Sequence, residues 1–136
     1  LGSALLALCS LLHVASLVGA TWMLANLAYK YRDLPAAMHS ALIITGAVAA
    51  LILAHTVEVW IWAIALLLLG AVHSVTDAVY FSLATYTTVG YGDVVLEPAF
   101  RVFGAMAAVT GMLVFGLSTA FLVAILTRHF PSSRFR

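Results

Sequence analysis

No charged side chain falls among residues 1–29, 34–57, 59–76 or 102–127. Runs of that length decide which solvent the chain can face. A helix crossing the hydrocarbon core of a bilayer needs about 20 apolar residues, whereas a soluble domain needs charge on every outward face. Six Lys and Arg with five Asp and Glu make only 8% of the residues charged, and 65% are hydrophobic. Soluble domains carry about 25% and about 45–50% respectively. The composition excludes a soluble globule and a disordered chain. A net charge of +1 also excludes a nucleic-acid binder, which needs a basic field. The chain reads as an integral membrane protein with lipid around it. Cys9 is the one cysteine, so no disulfide forms within the chain, and it reads as a packing residue.

The charges punctuate three candidate membrane helices, at 3–29, 36–70 and 98–127. The first lacks a basic start and is too long for the apolar part of a secretory signal. The sequence does not open on Met, which leaves room for residues upstream. Five of the six basic residues cluster at Lys30 and Arg32 and at Arg128, Arg134 and Arg136. With both clusters cytoplasmic, the N-terminus lies outside and the C-terminus inside. The three terminal arginines also suit anionic lipid headgroups, although topology alone accounts for them. Residues 71–98 then lie on the outer side. They are too apolar for an exterior loop and too short to cross twice, so a re-entrant segment is expected. Non-helical backbone at that depth survives only where protein buries it or it lines a water-filled path.

Within that segment Ser74 reads as a helix cap, with Asp77 three residues on completing a capping box and favouring the N-terminal dipole. A short helix is expected at 75–86. Thr87-Thr88-Val89-Gly90-Tyr91-Gly92-Asp93 follows, where two glycines around a tyrosine end the helix and admit positive φ.

Thr88-Val89-Gly90-Tyr91-Gly92 is the signature of potassium selectivity filters. The chain resembles the pore-loop potassium channel superfamily, in particular the small bacterial channels built from outer helix, pore helix, filter and inner helix, over roughly residues 40–127. The resemblance implies an all-α membrane fold, with residues 1–33 an extra N-terminal membrane helix and 34–136 the pore domain: outer helix 36–70, pore helix 75–86, filter 87–93, inner helix 98–127. It implies that the carbonyls of Thr88, Val89, Gly90 and Tyr91, with the Thr88 hydroxyl, bind K+, and that Gly92 lets the backbone leave the filter. Thr87 and Asp93 would support the filter. One loop supplies a quarter of a filter, so a homotetramer is implied. No cofactor beyond K+ is expected.

The inner helix matches too. Gly111 lies where such channels place a hinge, and Phe115–Ala120 resembles the stretch that follows. For Gly111 and Gly116 a bending role stands beside plain small-residue packing. Phe121, Ala124 and Ile125 are candidates for an apolar constriction.

The sequence departs from the family at several places. Many relatives pair a pore-helix Glu with the aspartate after the filter, but Ala84 stands at that position. Where relatives often carry two bracing Trp, Tyr80 and Phe81 appear. Trp60 and Trp62 either take over the bracing or belong to an interfacial aromatic belt. Gly70 lies close to Ser74, which leaves little exposed turret.

His55 and Glu58 sit three apart on one helix face, with Glu58 about 16 Å from the outer helix end. An ionisable group at membrane depth is a functional candidate. Three readings stand: Glu58 bonds His55 and the pore-helix region in place of the missing Glu, the pair senses protons, or it binds a transition metal. His13, His39 and His73 are expected at other depths, with His13 a satisfied interhelical histidine. Gly46, Ala50 and Ala54 form a small-residue stripe that predicts a close helix contact. The first helix, with Gly19 and Ala15 for packing, is expected on the outside of the pore.

No segment repeats Arg or Lys every third residue, so no voltage sensor is expected. The nine residues after Thr127 leave no space for a cytosolic ligand domain, and no arrangement suits an enzyme. The expectation is a passive, potassium-selective, multi-pass channel of a cell membrane. A weakly selective cation channel, a non-conducting subunit needing a partner and a pore module of a transporter are the alternatives.

Overall fold

The computed structural model of the protein describes residues 1–129. The chain is all-helical there: α1 spans Gly2–Lys30, α2 Ala36–Leu68, α3 Val75–Tyr86, and α4 Arg101–His129, entered through a 3-10 turn at Pro98–Phe100. Arg134 and Arg136, expected to anchor the C-terminal end, lie outside the described residues.

Three of these helices are long and apolar enough to cross a membrane: Gly2–Lys30, Ala36–Leu68 and the continuous Pro98–Arg128. Their ends have local causes. Pro35 stands at the N-cap of α2 and fixes its own φ at −51°, which sets the turn after α1. At the other end of α2, Gly70 has φ 68°. The Gly70 N–H reaches Leu67 O and the Ala71 N–H reaches Leu66 O, both at 3.0 Å. This Schellman arrangement closes the helix and needs a left-handed residue at Gly70. Ser74 caps α3 by accepting the Asp77 N–H at 3.1 Å.

The short 31–35 link makes α1 and α2 antiparallel neighbours. α1 packs on both α2 and α4, and α3 is held between α2 and α4. The stripe expected to make a close contact does so with α1: a Cβ on Gly46 would lie 3.0 Å from Leu24.

The core divides into three layers down α2. Ala63 and Leu66 pack with Val72, Ala78 and Leu96. Val59 and Trp62 meet Cys9, Tyr86, Ala107 and Val114. Ile43 and Ala47 meet Leu24, with Phe121, Leu122 and Ile125 against them. Hydrophobic burial is not what holds such layers together in lipid. Close packing and interhelical hydrogen bonds are, and both concentrate where α1, α2, α3 and α4 meet.

Candidate functional site

The glycine segment leaves α3 by folding back on it. Thr87 Oγ1 donates to Leu83 O at 2.8 Å, the Thr88 N–H to Thr85 O at 2.9 Å, and the Gly90 N–H to Ala84 O at 3.0 Å. Beyond that turn φ is positive at Thr88 (63°), Gly90 (52°) and Gly92 (80°), with Val89 and Tyr91 between them on the negative side. Alternating handedness turns successive peptide planes the same way. It gathers N–H groups on one side of a strand, and so carbonyls on the other. Glycine adopts positive φ freely, but Thr88 is β-branched and out of place there. Backbone strain of this sort persists where the surroundings impose it. Val89 and Tyr91 are 53% and 75% exposed on the single chain, a surface that lipid cannot cover because the backbone beside it is non-helical.

Asp93 closes the segment. The Tyr80 hydroxyl donates to its Oδ2 at 2.6 Å, and the Val94 N–H donates to Oδ1 at 3.1 Å. The tyrosine hydrogen bond holds the Asp93 carboxyl below the usual carboxylate range. Tyr80 thus supplies the partner that Ala84 leaves wanting. Between α3, the glycine segment and α4 remains a cavity of ≈ 270 Å³ lined by Tyr80, Ala84, Tyr91, Asp93 and Arg101, among others.

Trp62 is fully buried, its ring 5.3 Å from that of Phe103 on α4. Trp60 points away from the core and is 45% exposed. Trp60 faces outward, as an aromatic belt would have it, and Trp62 packs on α4, which is neither the filter bracing nor the belt.

At the C-terminal end of α3, just before the glycine segment, five side chains from four helices form a closed polar ring. His13 Nδ1 lies 3.0 Å from Glu58 Oε1, and its Nε2 lies 3.0 Å from Ser118 Oγ. Ser118 Oγ is also 3.0 Å from His55 Nε2. His55 Nδ1 is 2.8 Å from the Tyr86 hydroxyl, which donates to Glu58 Oε2. His13, Glu58, Tyr86 and Ser118 are buried, and His55 is partly so.

The ring corrects two expectations. His13 is not at another depth: α1 and α2 run antiparallel, and His13 and Glu58 each lie about 16 Å from the ends at Gly2 and Leu68. Glu58 bonds the pore-helix end through Tyr86, as one reading expected, but it does not take the missing pore-helix Glu's part toward Asp93. Its partners are His13 and Tyr86 (His55 Nδ1 stands 3.9 Å away), while Asp93 is served by Tyr80. Nothing in the sequence ties Ser118 or Tyr86 to Glu58, but counting turns from the shared helix ends finds His13.

The α4 candidates are also rearranged. A Cβ on Gly111 would collide with the Tyr86 carbonyl oxygen, while Gly116 has nothing within 4 Å. Close approach to the end of α3 accounts for Gly111, and Gly116 is the glycine with room to move. Phe121 and Ile125 pack toward Leu24, Ile43 and Ala47, on the chain's own first two helices. Both are half-buried there, while Ala124, the third constriction candidate, is exposed on the single chain.

No curated protein and no solved structure matches the chain. A sequence model of the family described as "Ion channel" does match, over residues 41–128, which takes in most of α2, all of α3, the glycine segment and α4 almost to its end. That match covers more than half of the sequence and falls on the helix, short helix, loop and helix laid out above, and by it the chain belongs to the pore-loop ion channel family.

Proposed function

We propose that the protein is a potassium-selective channel in which four chains close a filter from Thr88, Val89, Gly90, Tyr91 and Gly92. The observation that carries this reading is the alternation of φ sign along those five residues. In a Thr-Val-Gly-Tyr-Gly sequence that alternation suits carbonyls gathered on one side, where they would replace the hydration shell of a bare cation. Thr87 and Asp93 anchor the two ends of the segment. The segment leaves from the negative C-terminal end of α3, which favours a cation nearby.

The tetramer follows from the exposed, non-helical backbone of the segment, which needs protein or water beside it, and from a single loop supplying a quarter of a ring. Lys30, Arg32 and Arg128 support a cytoplasmic side for the link after α1 and the end of α4, with the N-terminus outside a cell membrane. Conduction is passive, and K+ is the only bound cofactor in this reading.

The test is flux from liposomes holding the purified chain. K+ efflux that Ba2+ blocks, with little Na+ flux, is expected. Equal Na+ and K+ flux would make the chain a weakly selective channel. No flux from a well-assembled tetramer under any condition would favour a subunit that needs a partner.

A further inference from the structure

We propose that His13, His55 and Glu58 form a binding site for a divalent transition metal of the zinc class, with Tyr86 beside it and Ser118 behind it. One ligand atom of each of the three residues lies within 4.8 Å of the other two. His13 Nδ1 lies 3.0 Å from Glu58 Oε1 and His55 Nδ1 lies 3.9 Å from Glu58 Oε2, so the two imidazoles face the two oxygens of one carboxylate. Metal–ligand bonds of about 2.0–2.2 Å in a tetrahedron put neighbouring ligand atoms about 3.3–3.6 Å apart, so small side-chain rotations suffice. Two imidazoles and a carboxylate suit Zn2+, whereas Ca2+ and Mg2+ take oxygen-rich shells.

The outer shell is also present. A metal-bound histidine characteristically donates its second ring N–H to a fixed acceptor. Here both Nδ1 atoms turn toward Glu58 and Tyr86, and both Nε2 atoms lie 3.0 Å from the one Ser118 oxygen, which has two lone pairs to accept them. The Tyr86 oxygen, next to the carboxylate and 2.8 Å from His55 Nδ1, is the fourth donor.

The protons balance. Without metal, the five contacts of the ring are all satisfied by five hydrogens on uncharged groups: one on each histidine and one each on Ser118, Tyr86 and Glu58. Metal at both Nδ1 atoms and the carboxylate displaces the Glu58 hydrogen and shifts the His55 hydrogen from Nδ1 to Nε2, while the Ser118 hydroxyl turns its own hydrogen away to accept from both rings. A second leaves when Tyr86 coordinates as phenolate, and the site is then neutral, as its depth favours. A cavity of ≈ 380 Å³ lined by Ile52, His55, Thr56, Tyr86 and Phe115 borders the site. A bound ion ties α1 and α2 to the residue before Thr87, the start of the glycine segment.

The experiment is metal binding to the chelator-stripped, full-length protein in detergent, followed by Co2+ absorption and by Zn2+ competition. It needs no ion flux, so it succeeds or fails independently of the potassium reading. One tightly held metal per chain with a tetrahedral Co2+ spectrum is expected. His13→Ala and Glu58→Gln should lose it. Ser118→Ala keeps every ligand and should weaken affinity by about 10–100-fold, which keeps the test open if the ligand variants fail to fold. An intact protein that holds no Zn2+ or Co2+, or one whose metal is lost with His73→Ala and kept with His13→Ala, would overturn the proposal.

Discussion

Asp93 and Tyr80 put a measurable quantity on a single residue. The tyrosine hydrogen bond lowers the Asp93 pKa, so the interaction is fully present above the ordinary carboxylate range and is lost as pH falls through the lowered value. Replacing the donor by Tyr80→Phe removes the largest cause of the lowering. The Asp93 titration, followed by the 13C shift of its carboxyl carbon, should move to higher pH, and any acid-induced loss of conduction should move with it. An unchanged midpoint would show that another group holds Asp93. Tyr86 carries a cost of a different kind. Its hydroxyl donates to a buried Glu58, and Tyr86→Phe leaves that oxygen and His55 Nδ1 each short of a partner. An orphaned buried polar group costs about 1–3 kcal/mol. The variant should therefore dissociate at a lower temperature than the parent in a thermal unfolding assay.

At the scale of elements, two glycines on one helix separate two physical roles. Gly in a helix costs about 0.5–1 kcal/mol relative to Ala, so Gly116→Ala, with nothing within 4 Å, should stabilise α4 by about that much. Gly111→Ala gains the same propensity and loses more. Its methyl meets the Tyr86 carbonyl, and forced overpacking costs about 1–3 kcal/mol. Thermal stability of the two variants should therefore shift in opposite directions, and a shift of the same sign in both would refute the close-approach account of Gly111. The helices were legible from charge-free runs, and the ends of α3 from Ser74 and the glycines, because lipid forbids unsatisfied backbone and so ties run length to structure. What was not legible is which side of a helix meets which neighbour. α1, α2 and α4 are apolar all round, so no amphipathic stripe marks a face. That is why Phe121 read as pore-facing when it packs toward α1 and α2, and why a hinge and plain packing both stood open for Gly111.

For the molecule as a whole, the open question is what α1 does, since the family match begins at residue 41. α1 covers Ile43 and Ala47 through Leu24, but removing it would expose those side chains to lipid tails that are equally apolar, a small loss. The polar contacts weigh more. Without His13, Glu58 keeps only the Tyr86 hydroxyl and the distant His55, and Ser118 keeps only His55. Two partly orphaned groups at about 1–3 kcal/mol each are a large share of the marginal stability of a small domain. A chain begun at residue 34 should therefore assemble poorly. Adding Glu58→Leu and Ser118→Ala should restore assembly in part, because apolar groups replace the two orphaned ones and the Tyr86 hydroxyl keeps His55 Nδ1, which leaves His55 Nε2 alone short of a partner. Tetramer content by size-exclusion chromatography in detergent reads both outcomes. If the truncated chain assembles as well as the full one, the ring is not what binds α1 to the pore. If it fails and the double replacement does not rescue it, the lost packing along Leu24 and Gly46 outweighs the polar debt, and α1 holds the pore by shape rather than by charge.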